Sequence, residues 1–222
     1  VEQLESLRRQ TIHSAFVAET TLNAPFEASR GFGLTFTAQG LSEVKARFPA
    51  LTPWLDQCLG APAIRALTPW YRRALRRIPN AWYLNVLVVP PGASVAPHID
   101  GTLMSPAQVS NHPPECVSVL YLSVPPAGGG SLRLWRGSWP VGIIAPRIGR
   151  SVHFRGDLKH AVDSFESEDP SERRASLVIE QYHFDADALA RIPPCRVESR
   201  AGFDTFLAEH SKRPPRSFEL DP

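Results

Sequence analysis

Residues 83–89 form an apolar, largely β-branched run, Tyr-Leu-Asn-Val-Leu-Val-Val, which stops at Pro90-Pro91-Gly92 and predicts a strand. Comparable runs follow. One covers 116–124 and ends at Pro125-Pro126, ahead of Gly128-Gly129-Gly130. Others cover 131–136, 141–144, 150–154 and 175–184. Short strands separated by Gly/Pro turns predict a sandwich or jelly roll. The first third reads as mainly helical, with helices expected at 4–9, from a Ser42 cap to just before Pro49, at 54–59, and at 63–77 with a break at Pro69. The tail after Ala186 is mixed, with a short helix expected over 203–210.

The chain has 222 residues and a formal net charge of +2. That length suits one large domain with additions, and the small charge provides no steering field for nucleic acid. The expected division is a helical region at 1–80, a β core at 81–185 and an extension at 186–222. No apolar run approaches the roughly 20 residues needed to cross a membrane, so no membrane association is expected. The start, Val1-Glu2-Gln3-Leu4-Glu5, does not look like a signal peptide. Cys58, Cys116 and Cys195 are widely spaced, with no CxxC pair, which argues against a zinc finger or a disulfide framework. They read as small buried side chains in a protein of the reducing cytoplasm. Arg72, Arg73, Arg76 and Arg77 lie near Trp70, Tyr71 and Trp82. With so little net charge they read as a solvated helix face rather than a nucleic-acid surface. Trp135, Arg136 and Trp139 suit a substrate mouth or plain packing equally well.

The sharpest chemical signal is His98-Ile99-Asp100 with His160 far downstream. Alternation puts His98 and Asp100 on one face of an extended segment, and a return strand must bring His160 alongside. Two imidazoles and a carboxylate cap one face of a ferrous iron and leave the other positions open. His153 is the rival for the third ligand.

The flanking motifs add to this. Pro91-Gly92, His98-x-Asp100, Val117-Ser-Val-Leu-Tyr121-Leu122, Gly129-Gly130-Ser-Leu-Arg-Leu134, Gly149-Arg-Ser-Val-His-Phe154, His160-Ala-Val162 and Arg174-Ala-Ser-Leu177 occur in that order. This order resembles the iron(II)/2-oxoglutarate-dependent dioxygenases, especially the prolyl-hydroxylase-like branch, over about 82–184. The resemblance implies a mainly β protein with helices: a double-stranded β-helix (jelly roll) core with an α-helical N-terminal region. It implies His98, Asp100 and His160 as iron ligands and as the catalytic centre. Arg174 would grip the distal carboxylate of 2-oxoglutarate, helped by Tyr121, since a guanidinium fork pairs bidentately with a carboxylate. Arg173 takes that role if the register slips by one. Val89 stands where the family often has a tyrosine, and Tyr83 and Asn85, on the same face if the strand alternates, would supply polar contacts instead.

The implied cofactor is Fe(II), with 2-oxoglutarate and O2 as cosubstrates and succinate and CO2 as coproducts. Related halogenases have a small residue in the slot of Asp100, so hydroxylation, or another two-electron oxidation such as desaturation or demethylation, is expected over halogenation. The expected substrate is a small molecule, an amino acid or a natural-product intermediate, with a peptidyl residue as the runner-up. A cupin-like metal protein that does not use 2-oxoglutarate is the other alternative. The segment 105–114, rich in Ser, Pro, Asn and His, is the expected lid. Nothing in the sequence bears on the oligomeric state.

Overall fold

The computed structural model describes residues 2–13, 31–59, 67, 77–103 and 113–199. Within them, antiparallel strands build two sheets. The larger has six strands in the order β10 (Cys195–Ser199), β1 (Phe32–Thr37), β2 (Ala81–Val89), β9 (Arg174–Tyr182), β4 (Cys116–Ser123) and β7 (Ser151–Phe154). The smaller has four, in the order β3 (Val95–His98), β8 (Lys159–Val162), β5 (Leu132–Arg136) and β6 (Trp139–Ile144). The sheets face each other as a double-stranded β-helix. Val117, Val119 and Tyr121 of β4 meet Val95, Leu132, Leu134 and Val162 between them.

The other face of the larger sheet lies under the helices. These are α1 (Glu2–Thr11), α2 (Leu41–Arg47), a 3-10 turn (Pro49–Leu51) and α3 (Thr52–Cys58). Trp82, Leu84, Val86 and Val88 of β2 and Ala175, Leu177 and Ile179 of β9 pack there with Leu51, Trp54 and Leu55. Their alternating neighbours Asn85, Leu87, Arg174, Ser176, Val178 and Glu180 line a cavity between the sheets. Both strands are thus covered on both faces, which is why β2 reads as a nearly continuous apolar run. A final short helix, α4 (Ala186–Leu189), is capped by Asp185, whose carboxylate accepts the N–H of Ala188 at 2.8 Å.

Several sequence expectations are corrected here. The helical reading of the first third missed β1, and β10 was missed in the tail; the two pair with each other. In β1, Phe32, Leu34 and Phe36 alternate into the helix-side cluster. Ser42 is not a cap: α2 starts at Leu41, with Gly40 at its N-terminal boundary and no side-chain cap. α3 starts before residue 54 because Pro53 fits its first turn. Trp135 and Trp139 do not line the cavity. Trp139 is 77% exposed, and Lys159 Nζ sits over the Trp135 ring, 5.8 Å from its centroid. The helices expected at 63–77 and 203–210, the lid at 105–114 and most of the arginine cluster fall on positions largely outside the described residues; Arg77 is described and exposed. No helix among the described residues is long and apolar enough to cross a membrane.

Phe36 joins β1 to the core; it is fully buried and stacks on Trp82 with ring centroids 5.4 Å apart. Phe36→Ala is expected to remove about 3–5 kcal/mol of stability in denaturant unfolding. A loss below about 1 kcal/mol would show that β1 is dispensable to the core.

Candidate active site

His98 ends β3 and His160 lies on β8, and the two are cross-strand partners. Their rings stand 4.3 Å apart between centroids. Asp100 follows β3 directly and turns back between them. Its Oδ1 is 3.3 Å from His98 Nε2 and its Oδ2 is 3.4 Å from His160 Nε2. One ligand atom from each of the three residues falls within 4.8 Å of the others. Asp100 and His160 are buried and His98 is half-buried.

Backbone carbonyls fix the imidazole tautomers. His98 Nδ1 donates to Ala96 O at 2.8 Å and His160 Nδ1 donates to Leu158 O at 3.2 Å. In the neutral rings each Nε2 therefore presents a lone pair toward a carboxylate oxygen. Three electron-pair donors turned toward one point repel one another unless a cation stands among them. Two imidazoles and a carboxylate are a donor set that suits Fe(II), and the carbonyl contacts are the outer-shell bonds that orient such ligands. Burial lowers the pKa of His160. Burial also acts to lower His98, but its bonds to Asp100 and Ala96 O outweigh this and leave its pKa above the ordinary value.

Arg174, the first residue of β9, points into the same cavity and is 1% exposed. Its Nε and Nη1 are buried with no hydrogen-bond partner, and no carboxylate among the described residues pairs with it. Its guanidinium carbon lies 5.1 Å from the centroid of the Tyr121 ring. The Tyr121 hydroxyl is buried with no partner at ordinary hydrogen-bond distance, and the guanidinium near it opposes the rise in its pKa that burial causes. Burial pulls the pKa of Arg174 down, yet an arginine stays cationic. A buried cation with no anionic partner is costly, and the open Nε and Nη1 donors of Arg174 suit an anion. Val89 lies directly across from Arg174 on β2 and offers it no acceptor.

The glycine turn makes room for this arginine. A Cβ on Gly130 would lie 2.6 Å from Arg174 Cδ, and Gly130 has φ +64°. Glycine is required there both by the close approach and by the left-handed backbone.

Asn85 lines the cavity, and its Oδ1 is buried without a partner. Tyr83 shares the inward face of β2 but lies beyond the cavity wall, clustered with Tyr182 and Phe184. Its hydroxyl lies against Gly33 of β1. His153 is not part of the triad. On β7 it bonds Ser118 Oγ at 2.7 Å, in a polar network that Gln181 extends to Cys58 O. Arg173 turns outward and donates to the carbonyls of Pro170 and Glu172. Cys58 and Cys116 are buried, Cys195 is half-buried, and all three are free thiols.

One cavity residue escaped the sequence reading. Glu180 is buried, and burial together with the nearby Asp100 charge pushes its pKa up to about 8. It accepts Thr102 Oγ1 at 2.7 Å, Thr102 N at 3.3 Å and the Tyr182 hydroxyl. Counting inward positions by twos from Arg174 along β9 was the signal that could have found it.

No protein-family model and no curated protein matches the chain. Solved structures resemble it to differing extents. A prolyl hydroxylase from Trichoplax adhaerens, in complex with a peptide fragment of the hypoxia inducible factor oxygen degradation domain, superposes at TM-score 0.54 with 15% identity, over 86% of this chain and 81% of that one. A Pseudomonas putida prolyl-4-hydroxylase is 22% identical at TM-score 0.37, over 48% of this chain. An oxidoreductase of the 2OG-Fe(II) oxygenase family from Burkholderia pseudomallei is 17% identical at TM-score 0.41, over 63% of this chain. This chain spans 54% and 59% of the lengths of those last two.

Three outcomes follow from the geometry. His98→Ala is expected to weaken divalent-metal binding at least about a hundredfold, while His153→Ala leaves it unchanged. Binding should also fade as pH drops through the raised range of His98, because the ligands must be unprotonated; equilibrium metal titrations across pH check both. Arg174→Met should stabilise the ligand-free protein by at least about 1 kcal/mol by removing an unpaired buried charge. A loss of several kcal/mol on denaturant unfolding would mean that Arg174 has a partner within the fold.

Proposed function

We propose that this chain is an Fe(II)- and 2-oxoglutarate-dependent dioxygenase that hydroxylates a C–H bond of a small molecule, an amino acid or a natural-product intermediate. The observation that carries the reading is one cavity walled by the convergent His98, Asp100 and His160 and by the unpaired Arg174. A metal triad alone suits many cupin-like proteins. A buried guanidinium with open donors beside it suits a ligand that chelates metal at one end and carries a carboxylate at the other.

When bound, Fe(II) with 2-oxoglutarate and O2 supplies the oxidising chemistry, and succinate and CO2 are the coproducts. The chain's own residues hold and orient. His98, Asp100 and His160 would ligate the iron through Nε2, a carboxylate oxygen and Nε2, leaving the opposite face open. Arg174 would grip the distal carboxylate bidentately, with the Tyr121 hydroxyl as a further donor. Leu87, Val119, Leu132 and Val178 form apolar wall around the cavity, and such a wall keeps water from the reacting centre. Asp100 occupies the third ligand position, which favours hydroxylation over halide transfer. A peptidyl residue is the second reading, favoured by the peptide held by the Trichoplax prolyl hydroxylase of the same fold. The free cysteines suit a reducing cytoplasm.

Anaerobic addition of Fe(II) and 2-oxoglutarate is expected to give a visible metal-to-ligand charge-transfer band. The band should be lost in His98→Ala, and Arg174→Ala should need about a hundredfold more cosubstrate. An iron-loaded protein with no band would overturn the 2-oxoglutarate assignment.

A further inference from the structure

The inward residues of β9 run Arg174, Ser176, Val178, Glu180. Arg174 and Glu180 therefore stand at opposite ends of one wall, about 20 Å apart along the strand. The metal donors lie toward the Glu180 end, because Thr102, just after Asp100, gives Glu180 both its N–H and its hydroxyl. A cosubstrate reaching from Arg174 to the metal would leave the Glu180 end of the cavity to another molecule.

Among the described residues, that end is rich in acceptors, and no cation pairs with Glu180. The partners of Glu180 are the Thr102 N–H, the Thr102 hydroxyl and the Tyr182 hydroxyl, all neutral. No lysine or arginine among the described residues pairs with it. Once deprotonated, its carboxylate has about four acceptor sites, so three donors leave one open for a cation that would itself favour the ionised form. Asn85 supplies a second acceptor. It pairs with Val178 while Tyr83 pairs with Glu180. Asn85 and Glu180 are thus diagonal neighbours on the inward face, roughly 7 Å apart. The buried Oδ1 of Asn85 has no partner. Tyr83, directly opposite Glu180, turns its hydroxyl to Gly33.

We propose that Glu180 and Asn85 form a cation subsite, and that the substrate carries an ammonium or guanidinium group which docks there while a neighbouring C–H bond faces the metal. This rests on the dioxygenase reading and narrows its substrate to an amine- or guanidine-bearing molecule. The strand then carries opposite charges for two ligands, with Arg174 for the cosubstrate carboxylate and Glu180 for the substrate cation. Glu180 is a specificity-determining residue and stands outside the metal-donor cluster.

The test uses probes without a carboxylate, so that Arg174 cannot attract them. n-Butylammonium is compared with n-butanol, and n-butylguanidinium with n-butylurea. Binding is followed by saturation-transfer NMR on the full chain, both metal-free and loaded with Zn(II) and 2-oxoglutarate, above the pKa of about 8 at which Glu180 ionises. Each cation is expected to bind about tenfold or more tighter than its neutral isostere, and Glu180→Gln should erase the preference. Equal binding of cation and isostere to the wild type would overturn the subsite without recourse to the variant, and so would a preference that survives in a folded Glu180→Gln. The charge-transfer band, read without amine on the same protein loaded anaerobically with Fe(II) in place of Zn(II), separates the two ideas. A band without cation preference sinks the subsite alone. Cation preference without a band sinks the cosubstrate assignment and leaves the subsite standing.

Discussion

Arg174 enters the cavity at the head of β9 as a buried guanidinium with no carboxylate beside it. A fold keeps such a group only if something outside the chain compensates the charge or the rest of the structure outweighs it. Its surroundings are arranged around that unpaired state. Gly130 has no Cβ where one would strike the arginine stem. The Tyr121 ring lies beside the guanidinium, and Val89 across the strand pair offers no acceptor. The metal triad follows the same principle with the opposite sign. Two carbonyl-fixed imidazoles and a carboxylate meet as electron-pair donors. One cavity thus gathers electron-pair donors that suit a cation and open N–H donors that suit an anion, the two features on which the proposed dioxygenase reading rests.

The architecture supplies the rigidity that such a site needs. β9 runs between β2 and β4, and its outward residues Ala175, Leu177 and Ile179 are locked into the helix-side cluster. The inward charges are therefore displayed from a strand held on both edges and on one face. On the smaller sheet, cross-strand pairing of β3 with β8 sets His98 opposite His160. Neither histidine depends on a loop for its position.

The triad was legible because its spacing maps onto strand geometry. His-x-Asp needs one extended segment, and His160 needs one return strand. Asn85 was legible from alternation back from Val89, and the same alternation put Tyr83 on that face without showing that the wall ends before it. β1 and β10 were harder to see, because each is short and they meet only through a pairing between distant parts of the chain. The faces of Trp135 and Trp139 depend on an irregularity in the β5–β6 register between Leu134 and Trp135, which periodicity does not reveal. Glu180 went unnoticed in the sequence, where an acid in a strand ordinarily faces solvent. Its burial follows from the sheet being covered on both faces.

The most direct test is calorimetric binding of 2-oxoglutarate and of 2-oxobutyrate, which lacks the distal carboxylate, to the Mn(II)-loaded protein. If Arg174 is open for that carboxylate, 2-oxoglutarate binds about a hundredfold tighter, and the gap closes in Arg174→Met. Equal affinity of the two acids for the wild type would contradict the account, because the guanidinium would then be serving something else.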